Sequence, residues 1–393
     1  MVPLAWAARA AGHEVRVAGT PSISGAIVHS GLPAVVVGHD VPPISPALRS
    51  VVSRFYKHER FPDDWPLHGD RLDEEQRALL SHLARNSAAS AEAMADDLIR
   101  FAQDWTPDVI IHDQANFAGP VAAAVTGLPN VRHLTGVGLR PIDTPVPGAG
   151  PLPEYTRLFD RFGVPPRVPP TISVDPSPPS LRLPVEGECL QQQYVPYNGH
   201  GEQPRWLLAP REKQRVCITW GHSVLRAAAA VGRIAMDPFL DAILAISALD
   251  VEVVLATSAR HVELLGDLPD GVRVAESAPL HLVLPHCDLI VHQAGDGTAL
   301  TAAAVGVPQL AITSKPDPAL TADRLSGSGA ACHLRYQELG HDPAGTQLIR
   351  ATAEKMLADS AFTVAAGWLR QEILRQPTPA ETIDTITALV GAS

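Results

Sequence analysis

Residues 288–312, DLIVHQAGDGTALTAAAVGVPQLAI, decide the fold. The apolar run 289–291 predicts a buried strand that ends in His292, and the alanine-rich run 299–305 predicts a helix. A turn of small residues lies between them, and Gly306-Val307-Pro308 opens a second strand. This order predicts two strands of a parallel sheet joined by a crossover helix.

The small-residue turn 294–298 is also a candidate anion site. Small residues let backbone N–H groups approach an anion, and the helix dipole favours negative charge at that end. His292 is placed to donate to the same anion, so the turn predicts a diphosphate site at the carboxyl end of a strand. Two other interpretations stay open: the small residues could serve close packing alone, and His292 could be a buried core imidazole.

Length and composition bound the class of protein. A chain of 393 residues is too long to fold around one ordinary hydrophobic core, so we expect two domains of roughly 200 residues each. A net charge of −11 argues against nucleic acid as the main partner, and no apolar run reaches the length of a membrane span. The four cysteines form neither a CxxC pair nor a zinc pattern, so we expect reduced thiols in a cytoplasmic protein.

Strand and helix signals alternate along the chain, which predicts two doubly wound α/β domains facing each other across a cleft. We expect an N-terminal Rossmann-like domain at 1–197, a linker at 198–214 and a C-terminal Rossmann-like domain at 215–393. The last helix is expected to pack back on the first domain. Residues 141–184 are rich in proline and show little periodicity, so no element is predicted there.

Several segments, in the same order, resemble the bacterial GT-B glycosyltransferases of natural-product (macrolide, anthracycline and enediyne) biosynthesis. They include AARAAGHEVRVAG, PDVIIHDQANFAGPVAAAVTGLPNVRHLTG, YVPYNG, RVCITWGHS, the region around residues 288–312, and TADRL. The resemblance implies inverting transfer of a deoxysugar from a dTDP-sugar to a hydroxyl of a hydrophobic, polyketide-like aglycone. It implies no cofactor beyond the dTDP-sugar co-substrate, and no metal, because no acidic pair of the DxD type lies near the phosphate site.

The resemblance also implies roles for particular residues. Asp317 matches an acidic residue that hydrogen-bonds hydroxyls of the donor sugar, and Asp113 matches a carboxylate that orients a catalytic histidine. Alternatively, Asp113 could cap the helix that follows it. The residues that match the family's diphosphate-binding segments are Gly221, Ser223, His292, Gly295, Gly297 and Thr298.

The chain departs from the family pattern at its beginning. Relatives start with a strand and a loop bearing the base histidine, and here residues 1–4 already belong to the following helix. The first strand of domain 1 and the base are therefore expected upstream of Met1. A degenerate, non-catalytic homologue is the second explanation, and substitution by His112, His133 or His222 is the third.

Smaller departures concern the ligands. Asp296 stands where a small neutral residue is usual, and it would repel a diphosphate unless it points away or is neutralised. His222 replaces a usual threonine, and Pro318 replaces a usual glutamine, which would suit a deoxygenated sugar. The aglycone is expected over residues 42–73, where four aromatic side chains could cover it or form an ordinary packed cluster. These are Phe55, Tyr56, Phe61 and Trp65.

Two other functions compete with sugar transfer. A GT-B homologue that acts as scaffold or partner of an active glycosyltransferase would explain the missing base and Asp296. A nucleotide-sugar epimerase would need more acidic residues in the cleft. The sugar, the aglycone, a homodimer and the need for a helper protein stay open at this point.

Overall fold

The fold is given by a computed structural model that describes residues 1–41, 60–137, 146, 148–166, 170–185, 187–221, 236–340 and 343–391. Twelve strands and thirteen helices are described within these ranges. The strands are β1 Val17–Gly19, β2 Ala34–Val36, β3 Ile110–Asp113, β4 Asn130–His133, β5 Ile172–Asp175, β6 Cys189–Gln191, β7 Arg215–Thr219, β8 Glu252–Thr257, β9 Val272–Glu276, β10 Leu289–His292, β11 Gln309–Thr313 and β12 Ala331–Arg335.

The helices alternate with the strands along the chain. They are α1 Val2–Ala10, α2 Pro21–His29, α3 Glu74–Trp105, α4 Ala118–Thr126, α5 Pro153–Asp160, α6 Asp237–Ser247, α7 Ala259–Leu265, α8 Leu280–Val283, α9 Asp296–Val305, α10 Pro316–Gly327, α11 Ala344–Ala358, α12 Ser360–Leu374 and α13 Pro379–Gly391. Within the ranges given above, none of these helices is both long and apolar enough to cross a bilayer.

The second half of the chain builds one six-stranded sheet in the order β9-β8-β7-β10-β11-β12, with every neighbouring pair parallel. Strand order reverses between β7 and β10. In open parallel sheets, ligands bind outside the carboxyl ends of the strands at such a reversal.

The first half of the chain forms two smaller parallel sheets, β1-β2 and β3-β4-β5-β6. They share one set of flanking helices, because Ala18 of β1 and Ile110 of β3 pack on the same cluster of α3 and α4 residues. On the opposite face, Val15 and Ile111 pack against Leu4 of α1 and Ile383 of α13. The two sheets thus lie between the same helix layers, and β1 and β3 do not pair in the described residues.

The proline-rich stretch is more ordered than its sequence predicts. It contains α5 and β5, and β6 follows shortly after it. Leu158 and Phe159 of α5 are buried against α3, and all four residues of β5 are buried. Short elements of this kind leave too few repeats for a period to be read, and tertiary burial stabilises them.

Gly38 fixes the close approach of the chain after β2 to helix α3. Its φ is +62°, and a Cβ there would lie 2.9 Å from the Cα of Met94 and overlap the Ala93 carbonyl oxygen. Gly31 shares the left-handed conformation, at φ +77°, but a Cβ there meets nothing within 4 Å. Alanine at Gly31 would therefore cause backbone strain alone, whereas alanine at Gly38 would cause backbone strain and steric overlap.

We expect Gly31→Ala to lower the free energy of unfolding by about 1 kcal/mol, the cost of a left-handed residue. Gly38→Ala should cost at least about 2 kcal/mol more, because α3 must also move. Chemical denaturation followed by circular dichroism measures both. Equal losses in the two variants would contradict the packing described here.

Candidate functional site

The candidate site lies where β7, β10 and β11 end side by side. His292, the last residue of β10, is in register with Thr219 of β7 and with Ala311 of β11. The loops that follow these strands therefore meet at the point where strand order reverses. Two of them carry residues predicted from the sequence for the donor site.

Helix α9 presents an open N-terminus at this point. Gly295 is its N-cap, and no side chain of the described residues caps it; the N–H groups of the first turn have no partner within the helix. Gly297 is exposed and Thr298 is half-buried. Backbone donors at the positive end of a helix form an anion-binding site.

His292 does not reach this open turn as the sequence predicts. Its side chain is completely buried, and its Nδ1 accepts the Ala294 N–H at 3.1 Å. Burial lowers the pKa of the imidazole to about 4, and its Nε2 is buried without a hydrogen-bond partner among the described residues. In this structure the ring is enclosed in the core and holds the turn, whose Ala294 has a φ of +60°, so direct donation to an anion stays a prediction.

Gln293 occupies the space expected for a donor-site side chain, and sequence reasoning left it out of the site. A Cβ on Gly221 would lie 2.6 Å from its Nε2, and a Cβ on Gly295 would lie 3.0 Å from the same atom. The amide therefore lies between the loops after β7 and β10, and its Oε1 is buried without a hydrogen-bond partner among the described residues. A long polar residue inside a small-residue turn was the available signal.

Asp296, the first residue of α9, turns away from the open turn. Its Oδ1 accepts a hydrogen bond from Thr321 Oγ1 at 2.9 Å, and the Val137 backbone N–H donates to its carboxyl. Burial raises the pKa of this carboxyl to about 6. The carboxyl thus points away from the open turn, and its raised pKa means that part of it is neutral near pH 6. Both features reduce its repulsion of a neighbouring diphosphate.

Asp317 lies in the first turn of α10, directly after β11, and is half-buried. It thus shares the edge of the sheet with the α9 turn. Ser223 and His222, the other residues predicted after β7, lie outside the described residues.

Across the cleft, Asp113 ends β3 in register with His133 of β4. Its Oδ1 accepts the Ala115 N–H at 2.8 Å, which closes a turn before α4. Helix α4 itself is preceded by Asn116, whose Oδ1 accepts the Ala118 N–H at 2.9 Å. Asp113 therefore caps a turn and not the helix, and one carboxylate oxygen stays outside this turn.

The two described histidines considered as substitute bases are both buried. His112 Nδ1 lies 2.8 Å from the Asp113 carbonyl oxygen, and burial lowers the pKa of its imidazole. Burial lowers the pKa of His133 to about 3. A general base works best with a pKa near the working pH, so neither imidazole is suited to the task.

Of the four aromatic residues expected to cover an aglycone, the structure describes two. Phe61 and Trp65 form an edge-to-face pair with ring centroids 5.5 Å apart, and both are buried. They line a cavity of about 260 Å³ together with Thr313, Ser314 and Lys315 of the second half of the chain. The interpretation as a packed cluster fits this pair, whereas Phe55 and Tyr56 lie outside the described residues.

Comparison with known proteins places this geometry in a family. The model of the N-terminal domain of erythromycin biosynthesis protein CIII-like proteins matches residues 6–221, and that of the C-terminal domain matches residues 240–389. The chain belongs to the EryCIII-like glycosyltransferases. It is 35% identical over 99% of its length to aklavinone 7-beta-L-rhodosaminyltransferase of Streptomyces galilaeus, covering 92% of that protein.

This EryCIII-like chain has further relatives of known specificity and structure. It is 33% identical to aclacinomycin-T 2-deoxy-L-fucose transferase of Streptomyces galilaeus, covering 99% of the chain and 92% of that protein. The spinosyn rhamnosyltransferase SpnG, solved with thymidine diphosphate, superposes with a TM-score of 0.78 at 32% identity, covering 98% of this chain and 95% of SpnG. The fold of the EryCIII-like chain is accordingly GT-B.

We expect the His292 imidazole of the EryCIII-like enzyme to stay neutral between pH 5 and pH 8, because burial lowers its pKa to about 4. The proton should reside on Nε2, since Nδ1 accepts the Ala294 N–H. Nitrogen NMR of histidine-labelled protein measures both properties, with His292→Asn assigning the signal. Titration near pH 6.5 would contradict the buried position.

Proposed function

We propose that the chain transfers a deoxysugar from a dTDP-sugar to a hydroxyl of a polyketide-like aglycone, with inversion at the anomeric carbon. The observation that carries the proposal is the uncapped N-terminus of α9 at the reversal of strand order. Relatives support the chemistry, since one is named for transfer of 2-deoxy-L-fucose and SpnG has been solved with thymidine diphosphate.

On the donor side, we assign the diphosphate to the first turn of α9. The N–H groups of Gly297 and Thr298 would donate to phosphate oxygens, with the Thr298 hydroxyl beside them. Gly221 and Gly295 would allow the phosphates close to the backbone, with the Gln293 amide between them. Ser223 keeps the role that the resemblance implies. His292 would act by holding the turn through Ala294.

The donor sugar is assigned to the neighbouring turn at the start of α10. Asp317 would accept hydrogen bonds from sugar hydroxyls, and it lies in the first turn of that helix. The next residue, Pro318, is buried and offers no side-chain amide. A site with few polar groups suits a sugar that has lost hydroxyls, because unmatched buried polar groups are costly.

On the acceptor side, Asp113 would orient the base histidine that the resemblance places before helix α1. A carboxylate on the far ring nitrogen fixes the tautomer and stabilises the imidazolium that forms.

The reaction is one displacement. The base removes the proton of the acceptor hydroxyl, whose oxygen forms a bond to the anomeric carbon while the bond to the diphosphate breaks. Preorganised donors around the departing diphosphate stabilise the transition state by about 2–4 kcal/mol each. Asp296 does not favour the scaffold alternative, since its carboxyl points away from the α9 turn.

Calorimetric titration with dTDP tests the donor assignment. We expect saturable binding, and we expect His292→Ala to weaken it at least about tenfold, about 1.4 kcal/mol, because the Ala294 turn loses its acceptor. His82→Ala, in the middle of α3, is the matched control and should bind like the unaltered protein. Unchanged affinity in His292→Ala would show that the diphosphate binds elsewhere.

Asp113→Asn tests the acceptor side. Asparagine keeps the oxygen that accepts the Ala115 N–H, so the turn should survive. We expect kcat for sugar transfer to fall at least about 100-fold, with dTDP affinity changed less than about twofold. Steady-state transfer assays measure the first quantity and calorimetry the second. Retention of full kcat would remove Asp113 from the catalytic site.

A further inference from the structure

We propose that Asp296 is a positioning residue that ties the first domain to the donor half of the cleft, and that its carboxylate takes up a proton when a nucleoside diphosphate binds beside it. The inference rests on the proposed function, since it places the diphosphate at the first turn of α9. It concerns a residue that departs from the pattern of the family.

The contacts of Asp296 reach both halves of the chain. Thr321, which donates to its Oδ1 at 2.9 Å, is a buried residue of α10 in the second half. Val137, whose N–H donates to the carboxyl, belongs to the loop after β4 in the first half. One carboxylate thus accepts hydrogen bonds from both domains.

Gly136 makes this approach possible. A Cβ at Gly136 would lie 2.7 Å from Asp296 Oδ2 and still closer to the Cβ and Cγ of Asp296, so no other residue fits there. The Val137 side chain is buried in a cluster with Leu300 of α9 and Leu325 of α10. The loop after β4 therefore contacts the donor half of the chain through Asp296. Strand β4 ends in His133, which pairs with Asp113.

The surroundings of the carboxyl disfavour its charge. Burial raises its pKa to about 6, and two acids add to this effect, Asp317 from the first turn of α10 and Asp175 from the end of β5. The Tyr194 phenol, from the segment after β6, also faces it, and Asp296 raises the pKa of that phenol. The hydrogen bonds from Thr321 and Val137 favour the ionised form.

At pH 7 a carboxyl with a pKa of about 6 is about nine-tenths ionised. A diphosphate bound at the same helical turn adds negative charge beside it, which raises the pKa of the carboxyl further. Binding is then coupled to uptake of a proton. The neutral acid keeps a carbonyl oxygen as acceptor, so the contact with the first domain survives protonation.

The test is calorimetric titration of the full chain with dTDP at pH 7 in buffers of different ionisation enthalpy, which counts the protons exchanged. Asp296→Asn is nearly isosteric, keeps an acceptor for Val137 and cannot titrate. We expect the unaltered protein to take up at least about half a proton more per dTDP than this variant. Subtraction removes the protons exchanged by dTDP itself.

The pH dependence gives a second measurement. Relative to Asp296→Asn, the affinity of the unaltered protein for dTDP should fall about five- to tenfold between pH 6 and pH 8. Equal proton counts and parallel pH profiles would overturn the inference while leaving donor binding intact. Absence of dTDP binding in both proteins would instead overturn the proposed function, and this inference with it.

The contact between domains has its own test. Gly136→Ala should lower kcat/KM for sugar transfer at least about tenfold, and addition of Asp296→Gly should restore most of the loss by making room. Gly150→Ala, where a Cβ meets nothing within 4 Å, is the control and should have no effect. Independent, additive effects of Gly136→Ala and Asp296→Gly would overturn the contact.

Discussion

The register of three adjacent parallel strands is the constraint on which the site depends. Pairing of β10 with β7 and β11 aligns His292 with Thr219 and Ala311. The loops that follow these strands therefore all begin at the same edge of the sheet. Helix α9 can then begin with an open N-terminus between them. The first domain reaches this edge through the loop after β4, which rests on Asp296.

Much of the fold could be predicted from the sequence, because long or buried elements leave a clear period. The apolar run 289–291 predicted a strand that ends in His292, and β10 is Leu289–His292. The alanine-rich run 299–305 predicted a helix, and it lies within α9. Elements α5 and β5 were missed, since short segments between prolines depend on burial by distant residues.

The sequence predicted where the candidate site lies, but not the directions in which its side chains point. Small residues after an apolar strand located the turn, because only they permit a close backbone approach. The directions of side chains depend on neighbours that are distant in sequence: His292 turns towards Gln309, and Asp296 turns towards Gly136 and Val137. No local pattern carries that information. Gln293 was not predicted as a residue of the site.

A crystal structure of the protein with dTDP would locate the diphosphate. We expect it to lie within hydrogen-bond distance of the Gly297 and Thr298 N–H groups, with the Asp296 carboxyl still directed towards Val137. A diphosphate bound away from the N-terminus of α9, or an Asp296 carboxyl turned towards the phosphates, would contradict it.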